Sequence, residues 1–383
     1  MRVMKMQCPR CHNQNAKQIF RINGQFYCRS CIQFHRVPIL KMRLTKHGQY
    51  LSSSIHYSLD FELSKAQKNL SNQLVSHYQN HRNCLVLAVC GSGKTEIVFE
   101  VIRYALSIGH RVCFCIPRRE LVQELYQRVK SSFQDISIGL VYGGHIENLD
   151  AQFVICTMHQ LYRFENDIGF DLMIADEVDA FPFYGNGVLQ EIFDRCCLGQ
   201  YIKLSATLMH EDIHGEEVLI MNRRYHGFDL PIPRMIIAPD SLQKYVLKYL
   251  LHRLAHKKVL IYVPTVACVN QLVSDFNTSH RIQGVSSKHK ENQKTIQALK
   301  NGQLDAIVTT TLLERGVTIE DVQVIVYHGQ HSIFDQRTLI QIAGRVGRKP
   351  NHPTGKVYVL TSERTKSILQ CIKTIKKLNR MSV

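Results

Sequence analysis

The chain has 383 residues, 45% hydrophobic and 21% charged, enough for two or three domains with cores of their own. No run reaches the ~18 consecutive apolar residues of a membrane span, and Met1 to Cys8 carries no apolar signal core, so neither a membrane-spanning nor a secreted protein is expected. A net charge of +17 calls for a polyanionic partner, nucleic acid or an anionic membrane face, and thirteen cysteines without a signal segment fit reduced thiols in a cytosol.

The first 47 residues hold ten Lys or Arg and no Asp or Glu. Within them Cys8-Pro9-Arg10-Cys11 is matched by Cys28-Arg29-Ser30-Cys31, with sixteen residues between the pairs. Each Cys-x₂-Cys turn places two thiolates on one tetrahedral edge, so Cys8, Cys11, Cys28 and Cys31 are the expected Zn²⁺ ligands. Ala16 to Phe26 alternate around Asn23-Gly24, as in a two-stranded ribbon. So small a patch buries little, so a closed, structural metal site would supply its folding energy. His12 and His35 lie near the ligands and are expected at the surface, since four thiolates fill the shell. A redox dithiol pair is the alternative use of such cysteines.

Residues 48 to 60 read as a connector. Ser64 then caps a helix containing Gln67, whose carboxamide offers a donor and an acceptor to an adenine edge. Next, Cys84 to Val89 form an apolar run that reads as a buried strand, and it leads into Gly91-Ser92-Gly93-Lys94-Thr95-Glu96 and a helix to about Gly109. Strand, glycine turn, Lys-Thr and helix are the context of a P-loop, although Ala88 stands where the common pattern has glycine. Gly91 and Gly93 free the backbone to curl around phosphate oxygens, with Ser92 between them. Lys94 would reach the β- and γ-phosphates and Thr95 would hold Mg²⁺, with Glu96 completing the segment.

Short apolar runs then alternate with amphipathic helices. Strands are expected at 112–117, 136–142, 153–156, 172–175 and 202–204, and helices at 120–133 and 188–196, which argues a parallel sheet. Its chemistry should gather at the carboxyl ends of the strands. Leu172-Met173-Ile174-Ala175 runs into Asp176-Glu177-Val178-Asp179, where Asp176 is the second Mg²⁺ ligand and Glu177 the group that orients water. Asp179 is expected to couple this loop to Ser205-Ala206-Thr207, through the hydroxyls of Ser205 and Thr207, or to a second domain. Arg118, Gly143 and Thr157 each follow a strand and suit contacts to a phosphate backbone.

Residues 209 to 240, with Pro231, Pro233 and Pro239, read as a hinge. Strands are expected again at 259–263, 306–309, 323–327 and 356–360, with no second P-loop. Thr309-Thr310-Thr311 end one strand with hydroxyls fit to grip a phosphodiester, in a segment running on to Gly316. Gln341-Ile342-Ala343-Gly344-Arg345-Val346-Gly347-Arg348 reads as helix, with Arg345 and Arg348 projecting from one face. Glycines 344 and 347 there imply close backbone approach. Thr365 to Met381 have the spacing of an amphipathic helix docked on the core.

Taken in order, Gln67, Ala88–Thr95, Asp176–Asp179, Ser205–Thr207, Thr309–Gly316 and Gln341–Arg348 resemble the motifs of superfamily-two helicases and translocases. With the Cys₄ module ahead of the motor and Asp176 to Phe183, the chain resembles the late-competence DNA-uptake ATPase family, ComFA. The resemblance implies two RecA-like parallel-sheet domains preceded by the zinc module, divided at 1–47, 48–228 and 229–383. It implies ATP, Mg²⁺ and Zn²⁺ as cofactors, and Arg348 as the arginine finger with Arg345 on the same phosphate. It also implies single-stranded DNA as cargo, drawn in during transformation at the cytoplasmic face of the membrane. The implied partners are the competence channel and a phosphoribosyltransferase-like protein. A primosome-like restart helicase, an ATP-switched nucleic-acid clamp and an RNA helicase are the competing expectations.

Overall fold

The two cysteine turns are joined by a hairpin. Strands β1 (Ile19–Ile22) and β2 (Gln25–Cys28) pair antiparallel, with Asn23 and Gly24 at φ +49° and +80° in the turn between them. Asn-Gly tolerates that left-handed backbone, whose twist matches the strands it connects. The computed structural model describes residues 7–34, 46–165, 167–207, 215–277, 280–286, 292–311 and 318–381. Its chain divides into two units, Met1–Leu87 with Lys94–Ile220, and Met221–Val383 with the short stretch Ala88–Gly93.

The first sheet has eight strands: β3 (Cys84–Ala88), β4 (Val112–Ile116), β5 (Ile138–Tyr142), β6 (His145–Glu147), β7 (Phe153–Thr157), β8 (Phe170–Ala175), β9 (Cys197–Ser205) and β10 (Glu217–Met221). Their order is β10-β3-β9-β8-β4-β7-β5-β6. Every residue of β3, β4, β5 and β7 is buried, the continuous apolar run that a parallel strand covered on both faces requires. The helices are α1 (Lys65–Gln79), α2 (Lys94–Ile97), α3 (Phe99–Ser107), α4 (Arg119–Ser132) and α5 (Gly187–Cys196). The helix expected after the glycine turn is interrupted at Val98, so only the four residues of α2 follow the turn directly. Residues 48 to 60 hold no regular element but are not a loose connector: Ile55 is buried and Tyr57 stacks on Phe133 at 5.3 Å.

The second sheet has six strands, β11 (Arg234–Ile237), β12 (Lys258–Tyr262), β13 (Ile282–Val285), β14 (Ala306–Thr309), β15 (Val322–Val326) and β16 (Val357–Thr361), in the order β11-β16-β15-β12-β14-β13. All its recorded pairings are parallel. Helices α6 (Asp240–Arg253), α7 (Val266–Phe276), α8 (Asn292–Lys300), α9 (Gln336–Ala343) and α10 (Lys366–Arg380) complete it. Within the stretch read as a hinge, 209–240, the described residues 215–240 are more ordered than their prolines imply. They supply β10 at one edge of the first sheet and β11 at one edge of the second, and Pro239 caps α6. Edge strands carry less of the buried apolar pattern, which is why residues 217–221 and 234–237 did not stand out. The tail helix α10 buries Ile368, Cys371, Ile375 and Leu378, while Leu369 is exposed on the opposite side. No helix among the described residues is long and apolar enough to cross a membrane.

Candidate active site and metal centre

In the four-cysteine cluster all ligand sulfurs lie within 4.8 Å of one another. Cys8 and Cys31 are 3.9 Å apart and Cys11 and Cys28 3.6 Å. A regular tetrahedron with Zn–S bonds of about 2.3 Å has edges of about 3.8 Å, so both the spacing and the all-thiol donor set fit zinc. The Cys31 sulfur beside it draws the Cys8 thiol down to about 5, while burial pushes Cys11 up to about 11. His12 is exposed, as expected, and pairs with Glu191 at 3.6 Å; His35 lies outside the described residues.

Sequence reading missed how the module is fastened. Arg10, between the first two cysteines, makes a two-pronged ion pair with Glu165, with both side chains essentially out of solvent. Arg195 donates to the Pro9 carbonyl at 3.3 Å and Phe34 stacks on His159 at 5.8 Å. An exposed-looking arginine inside a basic segment gives no signal of a buried partner 155 residues away.

Parallel register lines the strand ends of the first sheet up along one edge. Ser205 of β9 pairs across from Leu87 of β3, Ala175 of β8 from Cys115 of β4, and Thr157 of β7 from Ile116 of β4. Strand order therefore presents, in turn, Ser205–Thr207 beside the end of β3, then Asp176–Asp179, Arg118, Thr157 and Gly143. At the β3 end, Gly91 and Gly93 take φ +81° and +78°, the left-handed backbone that the glycines were expected to permit.

Lys94 Nζ stands 3.7 Å from Asp176 Oδ1. Burial raises the Asp176 carboxyl above its ordinary range, and the charge of Lys94 opposes that rise. Glu177 adopts φ +56°, and its backbone N–H donates to Asp176 at 2.7 Å. Asp179 accepts a hydrogen bond from the Thr207 hydroxyl, and the Thr207 N–H donates to the Ser205 hydroxyl at 3.1 Å. This bond is the expected link from Asp179 to Ser-Ala-Thr. Arg128 on α4, which sequence did not single out, reaches Glu96 at 3.2 Å and Thr95 at 3.4 Å. Gln67 is buried and its side-chain oxygen accepts from the Ser64 N–H at 2.8 Å, completing a capping box at the start of α1. Among the strand-end groups, Gly143 is open, Thr157 is buried and Arg118 precedes α4, while the neighbouring Arg119 stands 4.8 Å over the Tyr142 ring.

In the second unit Thr309 is buried with its hydroxyl on the Thr310 carbonyl at 3.1 Å; Leu312 to Gly316 lie outside the described residues. The expectation that Arg345 and Arg348 share a helical face is wrong. Helix α9 ends at Ala343, Gly344 caps it and Gly347 turns at φ +72°. The two arginines sit in the turn that follows, Arg345 buried and Arg348 donating to the Gly344 carbonyl at 3.2 Å and to Thr318 at 3.5 Å. The glycines act as read: a Cβ on Gly347 would fall 2.3 Å from the Pro353 carbonyl, and one on Gly344 2.5 Å from Cys90. Sequence also missed Arg224, which is buried against this turn and donates to the Gly347 carbonyl at 2.5 Å. Burial lowers its guanidinium to about 10.

A model of the type III restriction enzyme res subunit matches residues 60–210, and one of the helicase conserved C-terminal domain matches 241–350. Competence protein ComFA of Bacillus subtilis is 32% identical over 99% of this chain and 86% of its own length. The chain belongs to the ComFA family. ComFA of Streptococcus pneumoniae is 31% identical over 98% of this chain and 91% of its own. The fold is also that of Saccharomyces cerevisiae Dbp5, solved bound to RNA and ADP BeF₃, with a TM-score of 0.59 at 17% identity over 83% of this chain and 92% of that one. ComFA membership and the paired helicase domains make the chain a competence-related helicase-type ATPase, with ATP and Mg²⁺ implied and nucleic acid as the ligand class.

Proposed function

We propose that this ComFA-family chain is an ATP-driven single-stranded DNA translocase for DNA uptake during transformation. The observation that carries the reading is Lys94 Nζ meeting the strand-end acid Asp176 at 3.7 Å. In this reading Gly91 to Glu96 hold the triphosphate, with Gln67 toward the base. Thr95 and Asp176 hold Mg²⁺, which neutralises charge on the phosphates. Glu177 orients the attacking water. Arg348 completes the site and Arg345 meets the same phosphate. Asp179, Ser205 and Thr207 pass the change at the acids to the neighbouring strand ends. Arg118, Gly143 and Thr157 on one sheet and Thr309 and Thr310 on the other grip the backbone. Cys8, Cys11, Cys28 and Cys31 hold Zn²⁺ as a structural centre. The domains divide at 1–47, 48–228 and 229–383. By family, the chain works at the inner face of the membrane with the competence channel and a phosphoribosyltransferase-like partner.

The test is ATP turnover measured side by side with single-stranded DNA, duplex DNA and RNA. Single strands should stimulate most, and stimulation should grow with strand length, because a translocase stays longer on a longer strand. Turnover indifferent to length means a clamp that does not move. Displacement of a strand from forked duplexes means a restart-type helicase, and preference for RNA means an RNA helicase. Affinity for single strands should fall with salt at a log–log slope of about −0.7 per phosphate neutralised.

A further inference from the structure

The loop after the strand-end acids carries an aromatic ring that the fold does not use. Phe183 of that loop turns inward and packs edge-on against Phe193 at 5.6 Å, but Phe181 is 81% exposed. The loop is held at both ends. The Ala180 N–H donates to the Glu177 carbonyl at 2.9 Å, the Tyr184 N–H to the Ala180 carbonyl at 2.9 Å, and Asn186 caps α5. The ring is therefore displayed on a fixed support.

Phe181 and Tyr184 form one wall of a groove of about 470 Å³ whose other wall belongs to the cysteine module, through Asn13 and Ser30. Asn13 donates to the Ser30 hydroxyl at 3.0 Å, so an amide and a hydroxyl are set together opposite the rings. Cys11 of the module and the stretch Gly185–Val188 line the rest. Two aromatic side chains, an amide and a hydroxyl lining one groove suit a planar base, stacked on a ring and hydrogen-bonded at its edge.

Charge selects the occupant. No Asp or Glu occurs before Asp60, so the module's wall brings no carboxylate to the groove, and its one anionic group there is the Cys11 thiolate of the proposed zinc site. Arg29, next to Ser30, stands 5.6 Å over the exposed ring of Phe20, and Arg21 lies 5.7 Å from the Phe26 ring. No carboxylate is among the residues that line the groove. Cations beside aromatic rings, one exposed at Phe20 and one half-buried at Phe26, are the chemistry of single-strand binding.

We propose that this groove takes one base of a single-stranded nucleic acid, stacked on Phe181, with the zinc module as its second wall. The inference rests on the ATPase reading above and adds a contact to it. Phe181 lies two residues beyond Asp179, which holds the Thr207 hydroxyl. A base seated on the ring thus pulls on the loop that joins the acids to Ser205–Thr207.

The test is the binding of a labelled oligothymidylate to the full zinc-loaded chain by fluorescence anisotropy. Phe181→Ala should weaken binding about 5- to 150-fold, the range of one base–aromatic stack, with no change in melting temperature because the ring is exposed. Phe181→Tyr should keep most of the affinity. An oligomer carrying 5-iodouracil should photocrosslink to the peptide spanning residues 181–188. Parental affinity in Phe181→Ala, or crosslinks confined to the strand-end residues, overturns the groove and leaves the ATPase reading standing. A parent chain that binds no single strand and hydrolyses no ATP overturns both.

Discussion

Arg10 with Glu165 and Lys94 with Asp176 are both ion pairs of the first unit, yet they are built for opposite ends. Arg10 and Glu165 are 2% and 0% exposed and meet through two nitrogens and two oxygens. Lys94 and Asp176 are about 15% exposed and touch at a single 3.7 Å contact. A planar guanidinium can satisfy both carboxylate oxygens at once, so the first pair closes on itself and tolerates complete burial. A lysine is a point charge without a second prong, so its contact does not fill the Asp176 carboxylate as the guanidinium fills Glu165. The four-cysteine cluster repeats the closed arrangement: an ion held by all four thiolates would keep no open position.

The largest effect should come from breaking the closed pair. Glu165→Gln strands a buried guanidinium, and breaking such pairs typically costs about 3–5 kcal/mol. The variant should melt well below the parent in calorimetry, and hydrogen exchange should rise first in residues 158–165 and in the cysteine module. If melting is unchanged, the pair is not the anchor. Lys94→Ala attacks the open pair and should behave the other way round. The fold should survive while ATP turnover drops by about 10²–10³-fold, as when one preorganised donor to developing charge is removed. Turnover at the parental rate would remove Lys94 from the site.

Much of this was readable beforehand, and the parts that were not have a common cause. Buried parallel strands announce themselves as unbroken apolar runs, so Cys84–Ala88 and Val112–Ile116 fell where expected. Cys8 to Cys31 were legible because metal geometry fixes their spacing. The edge strands 217–221 and 234–237 were not, because half their residues face away from the core. The placement of Arg345 and Arg348 failed for a local reason: Asp335 starts a helix visibly, but Gly344 ends it one turn earlier than the pattern Gln341–Arg348 implied. Arg10, Arg128 and Arg224 were invisible because a long-range partner leaves no mark on its own neighbourhood.

A smaller effect separates the pairs by pH. The Asp176 carboxyl is raised by burial, and it must be ionised to hold a cation. The acidic limb of kcat/KM for Mg²⁺–ATP, which reports the cation-free protein, should therefore lie above the ordinary carboxylate range, with binding lost as pH falls through the raised value. The stability term has the opposite sign. The unfolded chain ionises this carboxyl more easily, so its burial costs folded stability at neutral pH. That cost fades as pH drops through the raised value toward the unfolded one. A kcat/KM profile with its acidic limb at an ordinary carboxylate value would show that Asp176 is not the group being titrated.

The smallest effect tests whether burial, rather than the mere presence of opposite charges, separates the anchor from the rest. His12 and Glu191 also join the cysteine module to α5, at 3.6 Å, but their side chains are 57% and 38% exposed. Water screens such a pair in both the folded and the unfolded chain, and ordering two mobile side chains offsets the remaining attraction. Glu191→Ala should change stability by less than about 1 kcal/mol, even at a pH where His12 is charged. Thermal melts of Glu191→Ala and Glu165→Gln in parallel make the comparison direct, because both variants remove a carboxylate that pairs with the same short module. If Glu191→Ala matched Glu165→Gln, the module would be held by its total charge, and the buried geometry of Arg10 would lose its special place.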